Sequence, residues 1–423
     1  MHNALLIAAP TSGSGKTTFT IGLMSALRRR GLHVQPFKCG PDYIDTKFHE
    51  RVCGVPSINL DTFMASHEHV GELFARYGAA ADVCIVEGMM GLFDGYDRDR
   101  GSSAEIARVL GLPVVLVVDA RSSAYSTAAL LYGFMEFRKD VRIAGVVFNK
   151  VGSPKHRDML RQVCDDLRLT CFGFLPRNAD LEQDSRYLGL DFSEHTDGSL
   201  LASWVEEHVD IDMLLGDISV CDAHASARLQ SVSPGGQCHH DGQTLLVARN
   251  AEAFSFVYQE NLDRFSSVRF FDPETEVPQL DGIDLLYLPG GYPEKHVHAL
   301  SANAACRTAI SRYAEACGRV VAECGGMMYL CRSIVTDDGE YPMCGVLPHV
   351  ITARSADRRL SLGYRRFVLD GIEYRGHEFH YTQFAGSQPP SATQVFNAKD
   401  EPVATPVFRY KNVLASYTHT YHL

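Results

Sequence analysis

Along the first half of the chain, short unbroken apolar runs alternate with longer stretches in which apolar positions recur three or four residues apart. ALLIAA is followed by TTFTIGLMSALRRR and HVQPFK, and later come DVCIVE, PVVLVVD and VRIAGVVFN. Apolar runs without a polar alternation suit strands covered on both faces, so this half predicts a parallel α/β sheet. Between about 211 and 242 the pattern fades into DMLLGDISVCDAHASARLQSVSPGGQCHHDGQ, where Ser, Gly and Pro accumulate, and this reads as a linker. Alternation then restarts with TLLVARN, AEAFSFVYQENLDRF, SVRFF, DLLYLPGG and RVVAECGG. The expectation is two α/β domains, residues 1–210 and 243–423, joined by residues 211–242. The second is not a repeat of the first, because it lacks a second GK[ST].

A chain of 423 residues fits that division. Its composition, 45% hydrophobic and 22% charged, is that of a globular protein. A formal net charge of −11 argues against a nucleic-acid surface. An anionic ligand must therefore be met by a local positive site. No apolar run reaches the roughly 18 residues of a membrane span, and MHNALLIAAPTSGSGK lacks the charged start and cleavage region of a secretory signal. A cytoplasmic location is expected. The 12 cysteines contain no CxxC pair and read as buried small hydrophobes. Cys238-His239-His240 has no second ligand pair nearby, so no protein metal site beyond one for Mg²⁺ is expected. A homodimer is the base-rate expectation.

The candidate chemistry begins at AAPTSGSGKTTFT, residues 8–20. Gly13, Ser14, Gly15, Lys16, Thr17 and Thr18 follow an apolar strand and open a helix, the context of a phosphate loop. Glycines let backbone N–H groups approach phosphates, Lys16 neutralises oxygens, and the Thr17 hydroxyl can ligate Mg²⁺. Pro10 stands where the strict loop has glycine, and Thr11 where the partition-ATPase variant has an extra lysine. The loop instead resembles that of dethiobiotin-synthetase-like enzymes, which use the ATP γ-phosphate to activate a carboxylate. Acidic residues for Mg²⁺ are offered by FKCGPDYIDTKFH, with Asp42 and Asp45, and by VEGMMGLFDG, with Glu87 and Asp94. Carboxylates at carboxyl ends of parallel strands face the ligand crevice; alternatively, any one of these aspartates caps a helix. Asn149, after VRIAGVVF, can hydrogen-bond a purine edge.

A second constellation lies in the other half. RVVAECGGMMYL puts Cys324 directly after a strand and before Gly325-Gly326, where a nucleophile would be exposed at a helix start that lowers its thiol pKa. The bland alternative is a buried cysteine beside a glycine turn. LPGGYPE, with Gly290 and Gly291, can aim N–H groups at an oxyanion. SYTHTYHL supplies His419 as a base, in competition with His377 and His380 of GHEFHY. Together these make a thiol acyl-transfer site.

With both sites in view, the chain resembles the cobyrinate a,c-diamide synthase family over almost its whole length. The resemblance is carried by SGSGKTT, FKCGPDYID, VEGMMGLFDG, LPGGYPE, AECGGMMYL, GHEFHY and SYTHTYH. It implies a dethiobiotin-synthetase-like P-loop domain joined to a class I glutamine amidotransferase domain of flavodoxin-like α/β type. It further implies that ATP and glutamine serve to amidate the a and c acetate side chains of a corrinoid. Cys324 would attack the glutamine amide and His419 would activate it, with Gly290, Gly291 and Gly325 forming the oxyanion and glutamine site. Thr17, Asp45 and Glu87 would hold Mg²⁺, while Asp42, Tyr43, Ile44 and Asp94 would meet the corrinoid or its reacting carboxylates. Two departures stand out. Ordinary class I amidotransferases place a Glu two residues after the catalytic His, where this chain has Tyr421, and the LEQDSRYLGL stretch has Tyr187 where His is expected.

The implied reaction passes through an acyl phosphate, because an unactivated carboxylate is a poor acyl donor to ammonia. Ammonia released at one site must reach the other, so an enclosed path between the domains is expected. Cobyrinate is the first expected substrate, with hydrogenobyrinate and nickel sirohydrochlorin as alternatives, while the compact length and FKCGPDYID disfavour a cobyric acid synthase. From a different class, a nucleotide-dependent switch with an inactive second domain is disfavoured by Thr11 and by the retention of both Cys324 and His419.

Overall fold

Leu5, Leu6 and Ile7 of β1 (Asn3–Ala8) are fully buried, which requires cover on both faces of their sheet. The computed structural model describes residues 3–178, 198–218 and 240–421. Its chain divides into two units, residues 1–235 and 236–423. In the first, β1 is joined by β2 (Val34–Cys39), β3 (Ile58–Leu60), β4 (Val83–Glu87), β5 (Val114–Asp119), β6 (Ile143–Val151) and β7 (Thr170–Pro176) in the order β3-β2-β4-β1-β5-β6-β7. Every pairing is parallel, as the unbroken apolar runs predict.

The crossovers are α1 (Lys16–Arg29), α2 (Asp45–Cys53), α3 (His67–Gly78), α4 (Ser103–Leu110), α5 (Thr127–Glu136) and α6 (Pro154–Leu167). Ser66, Ser102 and Ser153 cap α3, α4 and α6 by accepting from the N–H groups of His69, Glu105 and His156. Two further helices follow, α7 (Gly198–His208) and α8 (Ile211–Ile218). The expected linker at 211–242 therefore begins too early. Ile211 and Leu214 are buried in the same core as α1 and β1, so α8 belongs to the first unit. Its short apolar period was masked by the Ser- and Gly-rich text that follows. Residues 219–239, with Cys238 and His239, and the stretch holding Tyr187 lie outside the described residues.

The second unit is built on β8 (His240–Ala248), β9 (Phe265–Phe271), β10 (Leu285–Leu288) and β11 (Val320–Glu323), with α9 (Gln259–Asp263), α10 (Val297–Ala302), α11 (Ala304–Glu315) and α12 (Gly325–Leu330). After α12 the regular elements are nearly all strands: β12 (Cys331–Thr336), β13 (Gly339–Pro342), β14 (Leu347–Thr352), β15 (Ser361–Leu369), β16 (Ile372–His380), β17 (Gln383–Phe384), β18 (Val395–Phe396), β19 (Pro402–Val403), β20 (Val407–Tyr410), β21 (Val413–Ser416) and β22 (Thr418–Thr420). Three sheets result, β20-β21-β11-β10-β8-β9, β13-β12-β14-β17 and β19-β18-β15-β16-β22. The first is parallel except for its β20-β21 edge. Strand–helix alternation thus accounts for the first sheet and leaves out the other two. Among the described residues, no helix is long and apolar enough to cross a membrane.

Candidate active sites

In the first unit the loop after β1 turns into α1 at Gly15, whose φ is +92°. A Cβ there would lie 2.1 Å from Asn149 Nδ2, so only glycine lets β6 come this close. Asn149 donates to Ser14 O at 3.0 Å, and its Oδ1 accepts from Lys150 N. Asn149, expected at a purine edge, braces the loop before α1. Ser14 Oγ donates back to Thr11 O at 2.8 Å, tightening the turn that Gly13 opens at φ +77°. Lys16 is buried and donates to Met90 O at 2.6 Å. Burial, then Lys38, lower its pKa. Thr18 sits half-buried in the first turn of α1.

Thr17 Oγ1 donates to Glu87 Oε1 at 2.6 Å and lies 3.4 Å from Asp45 Oδ2. The three residues expected to serve Mg²⁺ therefore converge, from the starts of α1 and α2 and the end of β4. Their donors are all oxygens, the set a hard dication takes. Lys38 binds both carboxylates, Asp45 at 2.5 Å and Glu87 at 3.0 Å. Register explains this, because Lys38 and Glu87 are partners on the parallel pair β2 and β4. His49 Nε2 takes the other Glu87 oxygen at 2.7 Å. Burial alone would raise Glu87, but Lys38 and His49 hold it well below the usual carboxylate range. Burial would likewise lower Lys38, and Asp45 and Glu87 hold it raised.

The other expected contacts are not hydrogen-bonded into this cluster by their side chains, except that the Asp42 charge acts on Asp45 and Lys38. Asp42 Oδ1 accepts from Ile44 N and Asp45 N, both at 2.8 Å, which is helix capping at the start of α2. Asp94 is exposed and accepts from Gly91 N at 3.0 Å. It reaches Lys16 only through its charge. Tyr43 is buried and Ile44 half-buried.

In the second unit Cys324 directly follows β11 with φ +45° and ψ −106°, a backbone that a non-glycine residue adopts only at a cost of about 1–3 kcal/mol. Its N–H donates to Ser416 O at 2.8 Å, and its Sγ lies 3.7 Å from Phe379 O. It is 2% exposed. Burial, then Glu294, push the thiol pKa up. The expectation of a thiol lowered by a helix start fails here because α12 is short and the sulfur is shut away from water.

His419 reaches this elbow from another sheet. β22 pairs with β16, whereas Cys324 follows β11. Glu323 ties the two together, its Oε1 accepting from Thr420 N at 2.8 Å and from Thr420 Oγ1, its Oε2 from Tyr287 Oη at 2.6 Å. The Gly290 loop closes on both. A Cβ on Gly290 would lie 2.0 Å from His419 Cε1, and one on Gly325 would lie 3.0 Å from Gly291 N. Burial, then His377 and His380, depress His419 to about 3. Burial thus favours the neutral form of both the Cys324 thiol and the His419 imidazole.

The competing histidines are distinguished by their partners. His380 faces the Thr382 carbonyl through Nδ1 at 2.8 Å and Glu378 Oε1 through Nε2 at 2.7 Å. Glu378 is held down, to about 2, against burial by His380 and Arg365. With both ring nitrogens engaged, His380 offers no nitrogen to take a proton from Cys324. His377 is opposite His419 in register, and burial, then Arg365, depress it to about 3. Glu378 is opposite Thr418, so sheet alternation turns it away from His419. Tyr421, where a carboxylate stands in ordinary class I enzymes, packs on Tyr258 at 5.0 Å between ring centroids.

Comparison with known proteins agrees with this division. Residues 5–189 match the CobQ/CobB/MinD/ParA nucleotide binding domain, and residues 247–423 the CobB/CobQ-like glutamine amidotransferase domain. Proteins named hydrogenobyrinate a,c-diamide synthase match end to end. That of Brucella abortus biovar 1 (strain 9-941) is 40% identical, covering 98% of this chain and 97% of its own. That of Rhizobium meliloti (strain 1021) is 41% identical over 99% and 98%, and that of Mycobacterium tuberculosis (strain ATCC 25618 / H37Rv) 39% over 99% and 94%. The chain belongs to the a,c-diamide synthase family. It is accordingly a glutamine-dependent, amide-forming ligase with a nucleotide-binding domain.

Within this family member, three residues escaped sequence reasoning: Lys38, His49 and Glu323. A signal was available for two of them. Every residue of β2 is buried, and both β11 and β2 read as apolar strands, so a Lys or Glu inside them demands a partner. His49 offered no such signal, since its helix is mostly polar.

Proposed function

We propose that this chain uses ATP and glutamine to amidate the a and c acetate carboxylates of hydrogenobyrinate, the cobalt-free corrinoid that its relatives' names specify. The cobalt-containing cobyrinate expected first from the motifs becomes the alternative. The observation that carries the amide-donor half is the convergence of Cys324, His419 and the Gly290-Gly291 loop at one elbow.

In this reading His419 takes the Cys324 proton as the sulfur attacks the carboxamide carbon of glutamine, and returns it to the departing ammonia. Backbone N–H groups of the Gly290-Gly291 loop face the oxyanion. Water then cleaves the γ-glutamyl thioester to release glutamate. In the first unit Lys16 leaves the Met90 carbonyl for the phosphates, and a substrate carboxylate oxygen attacks the γ-phosphorus, breaking its bond to the β,γ-bridging oxygen and releasing ADP. Ammonia displaces phosphate from the resulting acyl phosphate. Thr17, Asp45 and Glu87 would hold Mg²⁺, which when bound neutralises charge on the phosphate oxygens. A cytoplasmic, homodimeric enzyme suits this chemistry.

Cys324→Ala should abolish amidation with glutamine and retain it with concentrated ammonia, while Lys16→Ala should abolish both. Product masses from hydrogenobyrinate and cobyrinate decide the substrate. Equal loss of both nitrogen sources in Cys324→Ala, or no amide on either corrinoid with the intact enzyme, overturns the reading.

A further inference from the structure

With Tyr421 where ordinary class I enzymes carry an acid, another group has to hold the His419 ring and stabilise the imidazolium that forms when it takes a proton. Two nearby carboxylates are committed elsewhere. Glu323 grips Thr420 and Tyr287 rather than the ring. Glu378, on the other face of its strand, is taken by Arg365, Ser361, Thr405 and His380.

GHEFHY, which supplied the two competing histidines, runs along β16 beside β22. His377 is opposite His419 across this antiparallel pair, and opposite residues share a face with Cβ atoms about 4.5–5.5 Å apart. Gly376 permits the approach, because a Cβ there would collide with the His419 carbonyl oxygen. On its other side His377 meets Tyr364, its partner on β15, edge-on at 5.5 Å between ring centroids. The imidazole is thus fixed in a row that crosses three strands, Tyr364 to His377 to His419. It is buried, and its Nδ1 has no hydrogen-bond partner among the described residues. Such a nitrogen calls for an explanation, a catalytic role among them. In the tautomer that carries its hydrogen on Nε2, Nδ1 is an acceptor. Burial, then Arg365, favour the neutral ring.

We propose that His377 is the positioning residue for His419, accepting through Nδ1 a hydrogen bond from the imidazolium in place of the missing carboxylate. The assignment rests on the reading of His419 as the base for Cys324. When His419 takes the thiol proton, both its ring nitrogens carry hydrogen. One serves the sulfur and then the departing ammonia, and the other donates to His377. The proton goes no further than His419, which returns it to ammonia, so His377 stays neutral throughout. A neutral acceptor stabilises the imidazolium less than a carboxylate does. It also avoids a second buried charge, which this enclosed site would penalise.

The test measures Cys324-dependent glutamate release by the full chain, with melting curves and ammonia-dependent amidation to establish that each variant is folded. His377→Phe keeps a ring and removes the acceptor. It should lower kcat about 10- to 100-fold, the value of one charge-assisted hydrogen bond, with KM for glutamine within about twofold, because the interaction forms only as the proton moves. His377→Asn gives up the ring, but its Oδ1, like Nδ1 of histidine, is bonded to Cγ and accepts; kcat should stay within about fivefold of the unsubstituted chain. Packing alone would rank these two variants the other way. If His377→Phe does not fold, His377→Leu, which also lacks an acceptor, is compared with His377→Asn instead. An unchanged kcat without the acceptor, or a loss in His377→Asn as large as in His377→Phe, overturns the assignment and leaves Cys324 and His419 as the reacting pair. Absence of any Cys324-dependent glutamate release by the intact enzyme overturns the reading beneath it, and the assignment with it.

Discussion

Glu323 is a carboxyl group on which two strong effects oppose each other. Burial disfavours its charge, while three donors, Thr420 N–H, the Thr420 hydroxyl and the Tyr287 hydroxyl, favour it. Burial prevails and lifts the carboxyl from 4.5 to about 7. That shift corresponds to about 3 kcal/mol of folded-state preference for the protonated form. Because the folded value lies above the unfolded one, this stability is fully present below about pH 4.5 and is lost as pH rises through about 7. Glu323→Gln cannot ionise and keeps an oxygen for Thr420. Its stability relative to the unsubstituted chain should therefore climb by about 3 kcal/mol between pH 5 and pH 9, roughly 6–12 °C in melting temperature for a unit of this size. Other titrating groups affect both proteins equally, so the difference isolates Glu323. Calorimetry supplies the melting curves. The single tryptophan, Trp204, lies in the first unit, so its fluorescence identifies the transition to set aside. A difference that stays flat within about 1 kcal/mol, or that falls with pH, would refute the argument.

Three further outcomes are expected. Lys38→Met leaves the buried Glu87 and the half-buried Asp45 without their shared cation and should cost the first unit about 3–5 kcal/mol; Trp204 fluorescence melts check this, and a loss under about 1 kcal/mol would show the pair to be solvated. Gly290→Ala puts a methyl group where His419 stands and should cut glutamine-dependent turnover by about 100-fold or more, with concentrated ammonia restoring amidation. Asn149→Ala removes the brace on Ser14 and should raise KM for ATP by about tenfold, from the loss of one hydrogen bond and the packing around it; an unchanged KM would show that the loop holds its shape alone.

Parts of the molecule can be read directly because they depend on neighbours in sequence. The phosphate loop, the parallel strands of the first unit and the elbow at Cys324 all follow from residues within one strand–turn–helix passage. The linker boundary was misplaced for the complementary reason, since what assigns α8 to the first unit is the core that Ile211 and Leu214 enter, far away in sequence. Asn149 shows the same limit. Its position after β6 was visible, but only the approach of β6 to Gly15 turns its amide toward the phosphate loop.

The sequence alone determined the chemical inventory: a thiol, an imidazole, a lysine on a glycine loop, and carboxylates at strand ends. Tertiary structure decided which of these meet, and in what charge state. Cys324 and His419 lie on different sheets and are joined by Glu323, an acid that looks like an error in an apolar strand. Lys38 is opposite Glu87 only because β2 and β4 are neighbours in that register. Residue identity sets the ordinary pKa and donor count of each group. Burial and long-range pairing, absent from any local pattern, push the Cys324 thiol up and hold Glu87 and Glu378 below the usual carboxylate range.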